Sequence, residues 1–177
     1  EKVAGKLHHV GNPVRPAVIA AAATPWRPLE PNGKLNLLVF GGSQGARIMA
    51  DIVPPALANI AALERTRLKI VQQVREEDIP RVKTAYADLG IAPEVAPFFK
   101  DLPGRMAAAH LVVARAGAST VAELGVIGRP ALLVPLPGSL DQDQAANAGV
   151  LADGGAAVRI LQQDFTPRRL AEEIAAM

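Results

Sequence analysis

The most constraining feature of this sequence is a series of short apolar runs that alternate with longer stretches of helical pattern. Most of the runs are continuously apolar, as expected for strands that helices cover on both faces. The predicted strands are NLLVF (36–40), LKIVQQV (68–74), EVAPF (94–98), LVVA (111–114), ALLVP (131–135) and AAVRI (156–160). The predicted helices are 45–62 with a break at Pro54-Pro55, 76–89, 119–127, 141–153 and 166–176. This alternation predicts an α/β fold with a Rossmann-like, doubly wound parallel sheet.

The first 35 residues differ from the rest of the chain. Proline and glycine recur there and interrupt every long element except a short helical pattern at 16–23. We therefore expect a lead-in and interdomain linker over residues 1–35 and one domain over residues 36–177. Because the chain starts at Glu1 without an initiator Met or the features of a signal peptide, we interpret it as a fragment of a longer protein.

Composition argues against several classes of protein. The 19 basic and 17 acidic residues are spread along the chain and only 3% of residues are aromatic, which is not typical of a nucleic-acid-binding protein. The lack of cysteine excludes disulfides and thiolate metal sites. No window approaches the roughly 18 uninterrupted apolar residues of a membrane span. With only three histidines and no acidic pair beside a glycine turn, we predict neither a metal site nor a cofactor.

The motif GGSQGAR (41–47) follows the first predicted strand. A glycine turn from a strand into a helix exposes backbone amides and favours an anion. The motif lacks the spacing of the P-loop and of the dinucleotide fingerprint, but it matches the G-x-S-x-G elbow of hydrolases with Ser43 as nucleophile. A hydrolase needs a downstream histidine, and the one available, His110, enters a buried strand. A tight turn without any ligand is the third interpretation.

The motif RAGASTVAEL (115–124) follows the fourth predicted strand and also runs from small residues into a helix. Thr120 and Glu123 have the spacing of a capping box, which satisfies amides at a helix start. The same carboxylate could instead accept hydrogen bonds from the two vicinal hydroxyls of a ribose. Two glycine turns at one sheet edge would suit a diphosphate. The motif by itself leaves both roles of Glu123 open.

The loop after the fifth predicted strand, PLPGSLDQDQAANAG (135–149), leads into a helix for which Asp141 is a candidate N-cap. Amide and carboxylate side chains crowd the start of this helix. They suit the hydroxyls of a sugar, although a solvated surface turn has a similar composition. These side chains are Gln142, Asp143, Gln144 and Asn147.

Four motifs, in this order and spacing, resemble the carboxyl-terminal half of the MurG family of glycosyltransferases. They are GNPVR (11–15), GGSQGAR (41–47), RAGASTVAE (115–123) and DQDQAANA (141–148). The resemblance covers nearly the whole chain. It implies one half of a two-domain glycosyltransferase of the GT-B type, namely the half that binds the sugar nucleotide.

The resemblance also implies individual donor contacts. It places Arg15 near the donor, Ser43 at a phosphate and Glu123 at the ribose, which favours the ligand role of Glu123 over the cap. Phe99 takes the place of an aliphatic residue whose backbone reads the uracil edge. The remaining implied contacts are Ala118, Ser119 and Thr120 of the diphosphate turn, Val121 and Ala122 directly after it, Gln144 at the sugar, and Asp143 beside it, where family members often carry Gln.

The implied reaction is the inverting transfer of N-acetylglucosamine from UDP-N-acetylglucosamine to lipid-linked N-acetylmuramyl-pentapeptide, the step from lipid I to lipid II in peptidoglycan synthesis. The resemblance implies a cytoplasmic enzyme, peripheral on the bacterial inner membrane. The acceptor loop and proposed base of the family belong to its amino-terminal half, so we expect no catalytic residue here and no transfer by this chain alone. The alternatives are an epimerase-like enzyme of nucleotide sugars and a non-catalytic nucleotide-sugar-binding domain.

Overall fold

The sheet of this protein has six parallel strands in the order β3-β2-β1-β4-β5-β6. It is seen in a computed structural model that describes residues 5, 8, 10–42, 46–138 and 143–177. In the register, Leu37 lies opposite Ile70 on one side and Leu111 on the other. The strands are β1 (Leu35–Phe40), β2 (Leu68–Gln73), β3 (Glu94–Ala96), β4 (Leu111–Ala114), β5 (Ala131–Leu133) and β6 (Ala157–Arg159). All six predicted strands are confirmed.

Helices connect successive strands and cover both faces of the sheet. They are α1 (Pro16–Ala22), α2 (Arg47–Ala58), α3 (Ala62–Arg65), α4 (Ile79–Ala87), α5 (Leu102–Ala108), α6 (Ala118–Ile127), α7 (Asp143–Asp153) and α8 (Pro167–Ala175). Short 3-10 turns at Glu76–Asp78 and Gln162–Asp164 precede α4 and α8. At the start of α8, the hydroxyl of Thr166 accepts a hydrogen bond from the N–H of Arg169, as expected for an N-cap followed by proline. Among these helices, none is long and apolar enough to cross a membrane.

The sheet has a separate core on each face, which explains why the strand sequences are continuously apolar. Alternate side chains of a strand point to opposite faces of the sheet. Leu37 and Val39 therefore pack in one core with residues of α2, α4 and α8, whereas Leu38 and Phe40 pack in the other with residues of α1, α5 and α6. Helices on both faces confirm the predicted doubly wound sheet.

The predicted break at Pro54-Pro55 is wrong, because α2 continues through both prolines to Ala58. A proline inside a helix removes a backbone hydrogen bond and costs about 3 kcal/mol. In α2 this cost is opposed by packing, since Met49, Val53 and Leu57 are fully buried in the first core. Tertiary burial outweighs the local preference of the two prolines.

Helix α5 was not among the predicted helices. Its seven residues, LPGRMAA, include a proline and a glycine, which obscure the helical pattern. Pro103 occupies the first turn, where its missing N–H costs nothing, and Met106 is fully buried in the second core. The short α3 was also missed.

The lead-in packs on the domain through α1 and through residues just before it. Val18 of α1 is fully buried in the second core, and α1 contacts both α5 and α6. The buried guanidinium of Arg129 donates a hydrogen bond to the carbonyl of Thr24 (2.7 Å). The boundary at residue 35 stays a prediction.

Candidate functional site

The candidate site lies at the carboxyl ends of β1 and β4, where the strand order changes direction. Ligands of open α/β sheets bind at this kind of point. Phe40 and Ala114, the last residues of the two strands, are register partners, so the turns that follow them are neighbours. Gly42 has φ +90°, a conformation that a residue with a side chain rarely adopts. The rest of that turn, including Ser43, lies outside the described residues.

The second glycine turn leads into α6, whose first residue is Ala118 and whose N-cap is Gly117. Thr120 is thus the third residue of the helix and not its cap, so the predicted capping box of Thr120 and Glu123 is wrong. Gly117 has no side chain with which to cap the first amides of the helix. The first amides of a helix have no partner within it and point out of its amino end.

Glu123 is paired with Arg15, which precedes α1 in the chain. The Nε atom of Arg15 lies 2.9 Å from Oε1 of Glu123, and Nη2 lies 3.0 Å from Oε2. Glu123 is only 7% exposed. The hydrogen bond that the Arg15 guanidinium donates to Glu123 raises the pKa of that guanidinium. Two residues that the resemblance assigns to the donor are therefore in direct contact.

A cavity of about 690 Å³ opens between the two glycine turns. It is markedly polar and basic. Its polar lining includes Arg47, Asp51, Arg75, Arg115, Ser119, Thr120, Gln144 and Gln162.

Arg115 is a buried cation in the wall of this first cavity. Its Nη1 atom lies 3.1 Å from the carbonyl oxygens of Val134 and Pro135, and its Nη2 atom lies 2.5 Å from Oε1 of Gln162. Burial lowers the pKa of Arg115, and within the described part of the chain it pairs with no carboxylate. The sequence patterns did not single out Arg115 or Gln162. An arginine directly after a buried strand could have indicated a cation at the edge of the sheet where ligands bind.

Helix α7 brings two amide side chains to the loops that follow β4 and β5. Gln144 lines the first cavity, and its Oε1 accepts a hydrogen bond from the N–H of Leu136 (3.0 Å). Asn147 donates to the carbonyl of Ala116 (3.2 Å). Asp143 is exposed and accepts from the N–H of Gln144 (2.7 Å). The predicted N-cap Asp141 lies outside the described residues, as does Gln142.

A second cavity of about 360 Å³ adjoins the first. Its lining includes Gly42, Ser119 and Thr120, which also line the first cavity. The remaining lining is largely apolar, apart from the ion pair described above and Gln73. These residues are Pro13, Arg15, Phe40, Gln73, Phe98, Phe99, Leu102 and Glu123.

The two phenylalanines of the second cavity differ in exposure. Phe98 is 61% exposed, whereas Phe99 is buried beneath Arg105, whose guanidinium carbon lies 4.2 Å from the centre of the ring. The family resemblance pointed to Phe99, and neither it nor the sequence patterns singled out Phe98. Only 3% of the residues in this chain are aromatic, so two adjacent phenylalanines after a strand could have indicated a binding surface.

Most of the predicted site residues that the structure describes converge on these cavities. Four do not appear in the lining of either one, namely Ala118, Val121, Ala122 and the exposed Asp143. The side chain of Val121 is part of the second core, Ala122 follows it in the helix, and the carbonyl of Ala118 accepts a weak hydrogen bond from Asn12 (3.4 Å). Their contacts with a donor stay predictions, as do those of the other predicted site residues.

The position of His110 disfavours the hydrolase interpretation. The Nδ1 atom of His110 accepts a hydrogen bond from the N–H of Asn36 (2.9 Å) at the amino end of β4. Ser43 follows the carboxyl end of β1, and a four-residue strand spans about 13 Å. Within the described ranges, no group of three or more His, Asp or Glu residues could hold a metal ion.

Comparison with known proteins assigns the family. The family model "Glycosyltransferase family 28 C-terminal domain" matches residues 36–177. A Methylobacterium nodulans protein named UDP-N-acetylglucosamine--N-acetylmuramyl-(pentapeptide) pyrophosphoryl-undecaprenol N-acetylglucosamine transferase is 63% identical over all of this chain. The chain spans only 48% of that relative, about half its length.

Solved structures agree with this assignment. The crystal structure of Acinetobacter baumannii MurG superimposes with a TM-score of 0.74 at 35% identity, over 86% of this chain and 46% of that one. A UDP-GlcNAc 2-epimerase from Neisseria meningitidis reaches a TM-score of 0.54 at 12% identity, over 83% of this chain and 36% of that one, which shows a shared fold alone. The chain belongs to the family of glycosyltransferase family 28 C-terminal domains, with the Rossmann-like architecture of GT-B enzymes.

Proposed function

We propose that this chain is the donor-binding half of an inverting glycosyltransferase that moves N-acetylglucosamine from UDP-N-acetylglucosamine to lipid-linked N-acetylmuramyl-pentapeptide in peptidoglycan synthesis. The observation that carries the proposal is the pair of adjoining cavities at the switch point of the sheet. One is basic and polar, the other is largely apolar, and Gly42, Ser119 and Thr120 line both. The name of the 63% identical relative supports the same donor and acceptor.

The chemistry of the two cavities suggests how the donor is oriented. A flat pyrimidine suits the apolar walls of the second cavity, where Phe98 offers an exposed ring for stacking. Glu123, in the same cavity, would accept hydrogen bonds from the ribose hydroxyls. The diphosphate then lies at the shared residues, near the first amides of α6, and the sugar extends toward Gln144 in the first cavity.

Donor binding has to change the environment of Glu123. In the described structure both carboxylate oxygens accept hydrogen bonds from Arg15. The ribose hydroxyls would compete for the same two atoms. Arg15 would then keep only part of its pairing, and its remaining donors would be available to the diphosphate.

In the proposed reaction, an acceptor hydroxyl attacks the anomeric carbon from the face opposite UDP, so the configuration is inverted. Negative charge develops on the departing diphosphate. The amino terminus of α6 and the guanidinium groups of Arg15 and Arg115 would stabilise that charge. We assign the general base, the acceptor site and any peripheral contact with the cytoplasmic face of the inner membrane to the other half of the longer protein.

Isothermal titration calorimetry tests the donor assignment. UDP and UDP-N-acetylglucosamine should bind more tightly than ADP or NAD, because we assign the second cavity to a pyrimidine ring, which is smaller than the purine ring of ADP and NAD. Glu172→Gln on the exposed face of α8 is a control for charge removal far from the site. Tighter binding of ADP or NAD would contradict the proposed function. In a longer protein that contains this chain, epimerisation of the sugar without transfer would contradict it as well.

A further inference from the structure

We propose that Arg105 is a positioning residue that holds the loop at residues 97–101 in the conformation that recognises the donor's base. This inference rests on the proposed function, since it assumes that the base occupies the second cavity. The loop joins β3 to α5, and its Phe98 and Phe99 form part of the wall of that cavity. Arg105 itself is absent from the described lining of both donor cavities. Its effect on a ligand would therefore be indirect.

Arg105 fastens the loop by three contacts. Its Nε atom donates to Oδ1 of Asp101 (2.8 Å), at the end of the loop, and Nη1 donates to Oε2 of Glu94 (2.8 Å), at the start of β3. The guanidinium also covers the ring of Phe99 at 4.2 Å. A rigid, planar group with several donors can make such contacts at once, which the single ammonium of lysine cannot do.

Gln73 fastens the other end of the loop. This residue is buried at the end of β2, and its Nε2 atom donates to the carbonyl of Pro97 (3.0 Å). The loop is thus tied to β2 at Pro97 and to α5 at Asp101, with the ring of Phe99 buried between the two ties. Phe98 and Phe99, the residues of this loop that line the second cavity, lie between the two ties.

The charges around Arg105 indicate a structural partner rather than a ligand for phosphate. Two carboxylates, Glu94 and Asp101, neutralise the guanidinium. Its side chain is 21% exposed, so these pairs are partly shielded from water. Nucleobases differ in the hydrogen-bond donors and acceptors along one edge. A loop can discriminate between two bases only if its own conformation is fixed. Loss of Arg105 should therefore reduce base discrimination more than phosphate binding.

The test compares Arg105→Gln, Arg105→Lys and the unchanged chain by calorimetry with UDP, CDP and inorganic pyrophosphate. We expect Arg105→Gln to lower the preference for UDP over CDP by about tenfold, with pyrophosphate affinity changed by less than about twofold. Arg105→Lys should recover part of the preference, because it keeps a cation near the Phe99 ring. Arg168→Gln, which removes an exposed arginine paired with Glu172, is the matched control and should change nothing.

The outcomes separate this inference from the function on which it rests. If the unchanged chain does not prefer UDP, the proposed function is contradicted. If the chain prefers UDP and folded Arg105→Gln keeps that preference, this inference alone is overturned. An equal loss of UDP and pyrophosphate affinity would overturn it too. Should Arg105→Gln fail to fold, Asp101→Asn replaces it, since that exposed carboxylate can be changed without opening the core, and a smaller loss of preference is expected.

Discussion

The ion pair between Arg15 and Glu123 joins an exposed cation to a buried anion, and we predict that removing its two ends has unequal effects on stability. The side chain of Arg15 is 58% exposed and that of Glu123 only 9%. Arg15→Met leaves a carboxylate that has lost its hydrogen-bonded cation in a place that water reaches poorly. Glu123→Gln leaves a guanidinium that water can solvate, beside an amide oxygen that can still accept one hydrogen bond.

Two limits bracket the magnitude. Breaking a fully buried pair costs about 3–5 kcal/mol, whereas a surface pair contributes about 0–1 kcal/mol. Since one partner is buried and the other is not, we expect Arg15→Met to lower the free energy of unfolding by about 2 kcal/mol, the penalty of an unsatisfied charged group. Glu123→Gln should lower it by about 0.5–1 kcal/mol, near the surface limit. The double variant should resemble Glu123→Gln.

Urea unfolding followed by circular dichroism measures these differences. The exposed pair of Arg168 and Glu172 on α8 is the control, because both of its partners are solvated. Arg168→Met and Glu172→Gln should each change stability by less than about 0.5 kcal/mol and without asymmetry. Equal losses from Arg15→Met and Glu123→Gln, or a larger loss from Glu123→Gln, would refute the reasoning that the carboxylate is the desolvated partner.

Three further predictions concern the ligand, the core and pH. Glu123→Gln should weaken UDP binding by about 1–3 kcal/mol; unchanged calorimetric affinities for UDP and 2′-deoxy-UDP would contradict a ribose contact. Arg129→Met should lower the free energy of unfolding by about 2–3 kcal/mol, because its buried guanidinium donates to several backbone carbonyls that would lose their partner; a urea midpoint equal to that of the unchanged chain would disprove it. Hydrogen bonds from Arg105 lower the pKa values of Glu94 and Asp101, so the stability they add is complete above about pH 5 and is lost as pH falls through their lowered folded-state pKa values. Urea midpoints measured between about pH 6 and pH 3 should fall less steeply in Arg105→Gln; identical slopes would be evidence against this linkage.

The strands and most helices could be predicted because local pattern and burial agree in them. Leu37 and Leu38 belong to opposite cores, so consecutive apolar residues were a true sign of a strand covered on both faces. The prediction of helices failed where the local pattern and the burial disagree. Pro54 and Pro55 argue locally against the helix that packing maintains, and Gly104 weakens the pattern of a helix that Met106 anchors.

The place of the site was predictable, but its contacts were not. The carboxyl edge of the sheet follows from the order of the elements, and Ser119, Thr120, Glu123 and Gln144 do lie in the lining of its cavities. The pairing of Arg15 with Glu123 joins residues 108 positions apart, a separation over which local patterns carry no information. The capping box failed because the N-cap of α6 is Gly117, three residues before Thr120, and a glycine N-cap leaves no side-chain signature.

The central pairing of β1 with β4 has a consequence for how the chain acquires its site during folding. Asn36 and His110, at the amino ends of these two strands, are hydrogen-bonded although 74 residues separate them. Closing a loop of that length carries an entropic cost and slows folding. A chain that has assembled only β1 to β3 holds one glycine turn without the other. Ligand binding therefore selects the completely folded domain, and a bound nucleotide sugar shifts the folding equilibrium toward it.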